Sequence, residues 1–122
     1  MKLLIVDDSA LTRSRIARTL DDPKLSAIQL LGMAENGKEA LMLFLQHMPE
    51  LVTMDITMPE MDGVECMEKM IELHPDCNIL IISALSDKAT AIKALKKGAR
   101  GFLCKPFSDE DLIAAFLELT SP

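Results

Sequence analysis

Five short apolar runs alternate along the chain with longer segments of helical period, and that alternation leaves few folds open. Lys2–Val6, Ile28–Gly32, Leu51–Met54, Asn78–Ile82 and Gly101–Cys104 are strand-length runs rich in aliphatic residues. Between them, Ala40, Leu41, Phe44, Leu45 and Met48 recur at the spacing of one helix face, as do Val64, Met67, Met70 and Ile71. A first helix, with a thinner stripe of Ala10, Ala17 and Leu20, is closed by Asp21-Asp22-Pro23, and Pro49 and Pro75 stop the second and third. Ser86 is placed to cap a fourth helix that runs through Ala91, Ile92 and Leu95 to Gly98. Ser108 with Asp111 has the capping-box pattern for a fifth, carrying Leu112, Phe116 and Leu119. Parallel neighbours need right-handed helical crossovers. The expected fold is therefore α/β, a doubly wound five-stranded parallel sheet with helices on both faces.

The 122 residues are expected to make one domain, 1–122, with no linker or low-complexity tract and no output domain expected in this chain. At 49% apolar and 26% charged, the composition excludes a disordered chain. Thirteen basic against nineteen acidic side chains, a net charge of −6, argue against nucleic-acid binding, which needs clustered cations. No apolar run approaches the roughly 20 residues that span a bilayer. Cys66, Cys77 and Cys104 have no C-x-x-C spacing, so neither a zinc site nor a disulfide framework is expected, and the location expected is cytoplasmic.

Open parallel sheets bind ligands beyond the carboxyl ends of their strands, where the strand order reverses. Strand one ends in Asp7 and Asp8, strand three in Asp55, strand four in Ser83 and strand five in Lys105. If strands one and three are neighbours, three carboxylates converge, and such a cluster repels itself unless a cation joins it. Hard oxygen ligands suit Mg²⁺, which binds through one or two carboxylates together with phosphate oxygens. Asp55, alone at its strand end, is the natural nucleophile for a phosphoryl group, with Asp7 and Asp8 left for the metal. Lys105 can neutralise a phosphoryl oxygen and the Ser83 hydroxyl can donate to another. No Gly-rich nucleotide cradle occurs, so the phosphoryl group must arrive on another molecule. Asp7 and Asp8 could instead be ordinary helix caps and Phe102 an ordinary core aromatic.

The set Ile5-Val-Asp-Asp-Ser9, Met54-Asp-Ile-Thr-Met-Pro-Glu-Met-Asp-Gly63, Ile81-Ile-Ser-Ala84 and Gly101-Phe-Leu-Cys-Lys-Pro-Phe107 resembles the receiver domain of two-component response regulators. Each motif is weak alone; together, in order and over nearly the whole chain, they are specific. The resemblance implies strand order 2-1-3-4-5 and a phosphoacceptor at Asp55. It implies Mg²⁺ held by Asp8, Asp55 and the Thr57 backbone carbonyl, with Asp7 acting through water. It further implies Ser83 and Phe102 as paired switch residues and a cis bond before Pro106. The chain would then be a switch with only intrinsic autophosphorylation and autodephosphorylation activity. A histidine kinase or phosphotransfer protein would be its donor. An output protein, or an effector domain absent from this chain, would read the face of helix four, strand five and helix five. Two other functions fit the fold: an interaction module that is never phosphorylated, and a small phosphohydrolase with an aspartyl-phosphate intermediate.

Overall fold

The computed structural model describes residues 1–56, 58 and 63–121. In chain order the elements are β1 (Lys2–Val6), α1 (Ala10–Thr19), β2 (Gln29–Ala34), α2 (Gly37–His47), β3 (Leu51–Asp55), α3 (Gly63–Leu73), β4 (Asn78–Ala84), α4 (Lys88–Lys96), β5 (Gly101–Lys105) and α5 (Asp109–Thr120). The strands form one parallel sheet in the order β2-β1-β3-β4-β5. The doubly wound fold read from the sequence is the fold observed.

Two cores flank the sheet. Phe44, Met67, Met70, Ala91 and Ala94 from α2, α3 and α4 meet Leu4, Val52, Met54, Ile79 and Ile81 on one face. Ile16 from α1, with Leu112 and Phe116 from α5, meets Leu3, Ile5, Leu51, Leu80 and Ile82 on the other. Removal of this apolar area from water, worth about 1.5–3 kcal/mol for each large side chain, is what holds the helices on. β3 is buried along its whole length, as a central strand covered on both faces must be, whereas β5 at the edge is only half-buried.

Local chemistry sets where the elements begin and end. Ser9, Asn36 and Ser108 cap α1, α2 and α5 by accepting from the backbone N–H groups of Thr12, Glu39 and Asp111. Gly98, at φ +123°, closes α4 in a Schellman turn: the Ala99 N–H donates to the Ala94 carbonyl and the Gly98 N–H to that of Leu95.

Four expectations are corrected. α2 buries Ala40 and Phe44, whereas Leu45 of the expected face is exposed, as is Met48, which forms the left-handed C-cap after the helix. α1 packs through Ile16, while Ala10 is exposed and Ala17 and Leu20 are only half-buried. Ser86 does not cap α4; it lies in a 3-10 turn over Leu85–Asp87, and the helix then turns Ala91 and Ala94 to the sheet, leaving Ile92 and Leu95 exposed. Small residues let the helix sit close, which outweighs the larger stripe one position along. β2 runs two residues beyond the expected end because Met33 and Ala34 still pair with Ile5 and Val6, and the register shifts between Leu3 and Leu4, leaving Leu31 as an extra residue opposite β1.

Cys77 is buried at the start of β4, and burial, with Glu50 adding to it and Arg100 opposing, pushes its thiol up to about 12. It is an inert core thiol at neutral pH. Gly63 bears more directly on the carboxyl end of the sheet. Its N–H donates to the Ile56 carbonyl at 3.2 Å, and a Cβ there would lie 2.3 Å from the Asp55 carbonyl oxygen and 2.4 Å from the Ile56 Cα. Those neighbours are backbone and cannot swing aside. Gly63→Ala is expected to destabilise the fold by about 1–3 kcal/mol or more, read as a lower urea midpoint; an unchanged midpoint would show that the segment after Asp55 has slack.

Candidate functional site

The carboxyl end of the sheet collects the acids. β1 lies between β2 and β3, so the chain crosses to one side of β1 and then back to the other, and a crevice opens between the β1 and β3 ends. Asp7 follows β1 directly and is 1% exposed; Asp55 ends β3 and is 3% exposed; Asp8 is exposed at the rim. One carboxylate oxygen from each lies within 4.8 Å of the others, close enough for a single cation to touch all three.

Lys105 comes from the far side of the sheet. Its Nζ is 3.0 Å from Asp7 Oδ2 and 3.8 Å from Asp55 Oδ2, so its ammonium bridges the two buried acids. The Lys105-Pro106 bond is cis. Asp7 is further fixed: its Oδ1 accepts from the Ser9 N–H at 2.9 Å, and its carbonyl accepts from Arg13 Nη1 at 2.7 Å. Ser9 therefore caps the helix, and the aspartates before it are left for other work.

Ser83 is fully buried near the end of β4, and its hydroxyl has no hydrogen-bond partner among the described residues. A desolvated hydroxyl with no partner costs about 1–3 kcal/mol; the Thr53 hydroxyl on β3 is in the same position. Ser83 and Phe102 lie on the same side of the sheet by strand alternation, since Ile81 pairs with Phe102 and Ser83 with Cys104. Phe102 is half-buried and packs against the core on the α2, α3 and α4 side of the sheet. Thr57 lies outside the described residues.

The sequence matches the family described as response regulator receiver domain over residues 3–117. The chain belongs to that family. It is 37% identical over 115 residues to the chemotaxis protein CheY of Listeria monocytogenes, covering 94% of each chain. Over 109 residues it is 41% identical to a protein-glutamate methylesterase/protein-glutamine glutaminase of Carboxydothermus hydrogenoformans, covering 87% of this chain and 30% of that one. The CheX-CheY-BeF3-Mg complex of Borrelia burgdorferi contains a chain of the same fold, with a TM-score of 0.90 and 28% identity over 100% of this chain and 90% of that chain. A receiver domain is a phosphoacceptor switch of two-component signalling rather than a metabolic enzyme, and receiver domains bind Mg²⁺ through acidic residues. The donor set of this receiver suits that ion: oxygen ligands only, and an excess of negative charge beyond what Lys105 offsets.

Sequence reasoning missed Arg13 and Arg15. Arg13 acts through the Asp7 carbonyl; Arg15 places its guanidinium over the Phe107 ring and donates to the Phe107 carbonyl. Contacts to backbone carbonyls leave no residue pattern to find.

Three carboxylates against one ammonium leave the metal-free site in net repulsion, and Asp8 is the acid that Lys105 does not reach among the pairs within 4 Å. Asp8→Asn is expected to raise the melting temperature in EDTA by a few degrees. A lower melting temperature would mean that Asp8 has a stabilising partner.

Proposed function

We propose that Asp55 is the phosphoacceptor, that Asp7, Asp8 and Asp55 with the Thr57 carbonyl hold Mg²⁺, and that Ser83 and Lys105 complete the catalytic set. The observation that carries this is Lys105 Nζ between the buried Asp7 and Asp55, with the exposed Asp8 beside them, in one crevice at the carboxyl end of the sheet.

The chemistry is in-line displacement, which asks for position and charge more than for covalent help. An Asp55 carboxylate oxygen attacks the phosphorus of a phosphohistidine on a histidine kinase or phosphotransfer protein. The phosphorus–nitrogen bond breaks, its electron pair stays on the imidazole, and the imidazole takes a proton from water. Mg²⁺, when bound, supplies the positive charge that the gathered phosphoryl and carboxylate oxygens require. Lys105 neutralises one phosphoryl oxygen, and burial of Asp55 keeps bulk water from competing. In a separate hydrolytic step water attacks the phosphorus, the bond to the Asp55 oxygen breaks, inorganic phosphate leaves carrying the water's oxygen and protons, and the carboxylate is restored. These steps are the intrinsic autophosphorylation and autodephosphorylation of a switch.

The Ser83 hydroxyl, which has no hydrogen-bond partner among the described residues, gains one in a phosphoryl oxygen on phosphorylation. Movement of Ser83 frees room on the same side of β4 and β5, and the half-buried Phe102 ring turns inward to fill it. The altered surface is that of α4, β5 and α5. There Leu95, Phe102, Ala115 and Leu119 border a cavity of ≈ 290 Å³ whose rim carries Arg100 and Glu118. An output protein or effector domain reads this face, and nucleic acid and membranes are not partners of the domain itself. We place this single receiver domain, 1–122, in the cytoplasm; among the described residues no helix is long and apolar enough to cross a membrane, and Cys66, Cys77 and Cys104 form no disulfide.

Incubation with acetyl phosphate and Mg²⁺, followed by intact mass, tests the assignment. Wild type is expected to gain one phosphoryl group, and Asp55→Asn none. EDTA should abolish the gain. Equal gain in wild type and Asp55→Asn would overturn Asp55 as acceptor, and no gain in wild type would overturn the phosphoacceptor assignment of the site.

A further inference from the structure

Lys105 reaches Asp7 across three inter-strand spacings and Asp55 across two, because β3 and β4 stand between β1 and β5. At ~4.8 Å per spacing, the three come to roughly 14 Å between the strand ends. A flexible four-carbon stem keeps its ammonium in one geometry at the far side of such a gap only if its backbone is held. The sheet itself holds β5 loosely at this end, since β5 is an edge strand paired on one side, with Lys105 opposite Ala84 as the last pair.

A second restraint comes from α1. Arg15 lays its guanidinium 4.7 Å from the centroid of the Phe107 ring and donates from Nη2 to the Phe107 carbonyl. Its Nε is 3.4 Å from Asp109 Oδ1, but both side chains are well exposed and that pair adds little. The ring contact and the carbonyl bond are the stronger ties, because the Phe107 ring is buried at 5% exposure in the α1/α5 core. Phe107 is two residues past Lys105. Just before Arg15 in the same helix, Arg13 holds the Asp7 carbonyl at 2.7 Å. This short stretch of α1 is thus tied to the chain at both ends of the Lys105–Asp7 ion pair.

We infer that Arg15 is a positioning residue for phosphoryl transfer, which holds the β5–α5 connection so that Lys105 Nζ stays between Asp7 and Asp55. The inference rests on the phosphoacceptor role proposed for Asp55 and Lys105. Arg15 touches neither the carboxylates nor a phosphoryl group; it acts through the backbone that carries Lys105. Loss of this restraint lets Lys105 pair with Asp7 or solvent in several geometries, and misplacement of about 1 Å can cost on the order of a hundredfold in rate.

The test is a double-mutant cycle on the rate of phosphoryl gain from acetyl phosphate at saturating Mg²⁺. Arg15→Ala is expected to slow wild type by about tenfold, a loss smaller than the hundredfold limit because β4 still pairs with β5. Its Mg²⁺ affinity should be unchanged, because Asp7, Asp8 and Asp55 are intact. In a Lys105→Ala background the same substitution should slow the reaction less than about twofold, since the group it positions is gone. Arg15→Gln keeps the stem over Phe107 and serves the same cycle if the alanine variant does not fold. A loss of equal size in both backgrounds would make Arg15 merely structural and overturn the inference, as would an Arg15 variant that reacts at the wild-type rate while Lys105→Ala is slow. A wild type that takes no phosphoryl group, or a Lys105→Ala protein as fast as wild type, would overturn the roles of Asp55 and Lys105 themselves and the inference with them.

Discussion

The structure turns on a charge problem: three aspartates brought to one crevice, two of them almost wholly buried, with a single lysine between. Bare carboxylates in such a place repel one another and lose hydration, a cost no fold accepts without a compensating function. The doubly wound sheet creates the crevice by reversing direction at β1, and the two cores on its faces supply the stability that lets the top of the sheet stay strained in charge. Lys105 offsets part of the excess, a divalent cation answers the rest, and a phosphoryl group is the natural substrate for a site so prepared.

Much of this was legible in the chain because acids are conspicuous where they interrupt apolar runs. Asp7-Asp8 after Lys2–Val6 and Asp55 after Leu51–Met54 break apolar runs at strand ends, and parallel topology then places them together. The cores were legible where one helix face is much larger than the others, as at Phe44 in α2 and Phe116 in α5. They were not where the contact uses small residues. In α4, Ala91 and Ala94 face the sheet while Ile92 and Leu95 face outward, an arrangement that periodicity of large residues reads one position off. The extra residue Leu31 in β2 likewise has no signature, because a bulge is set by pairing with β1 rather than by the strand's own composition.

The site's supports were the least legible. Arg13 and Arg15 look in sequence like solvent-facing helix residues, yet both donate to backbone carbonyls beside the site. Gly63 is required for the opposite reason, because the backbone of Asp55 and Ile56 occupies the place of a side chain. Ser83 belongs with these: its identity was readable, but that its hydroxyl is buried without a partner among the described residues appears only in three dimensions. Of the features seen in the structure, that one points most directly from the resting site to what the switch does when loaded.

The most direct measurement is a crystal structure of the protein with beryllofluoride and Mg²⁺. Beryllium bonded to an Asp55 carboxylate oxygen, the ion against Asp7 and Asp8, Lys105 Nζ on one fluorine and the Ser83 hydroxyl donating to another would bear out the assignment in a single view. Beryllofluoride bound elsewhere, or bound at Asp55 with Ser83 still unpartnered and Phe102 unmoved, would contradict it.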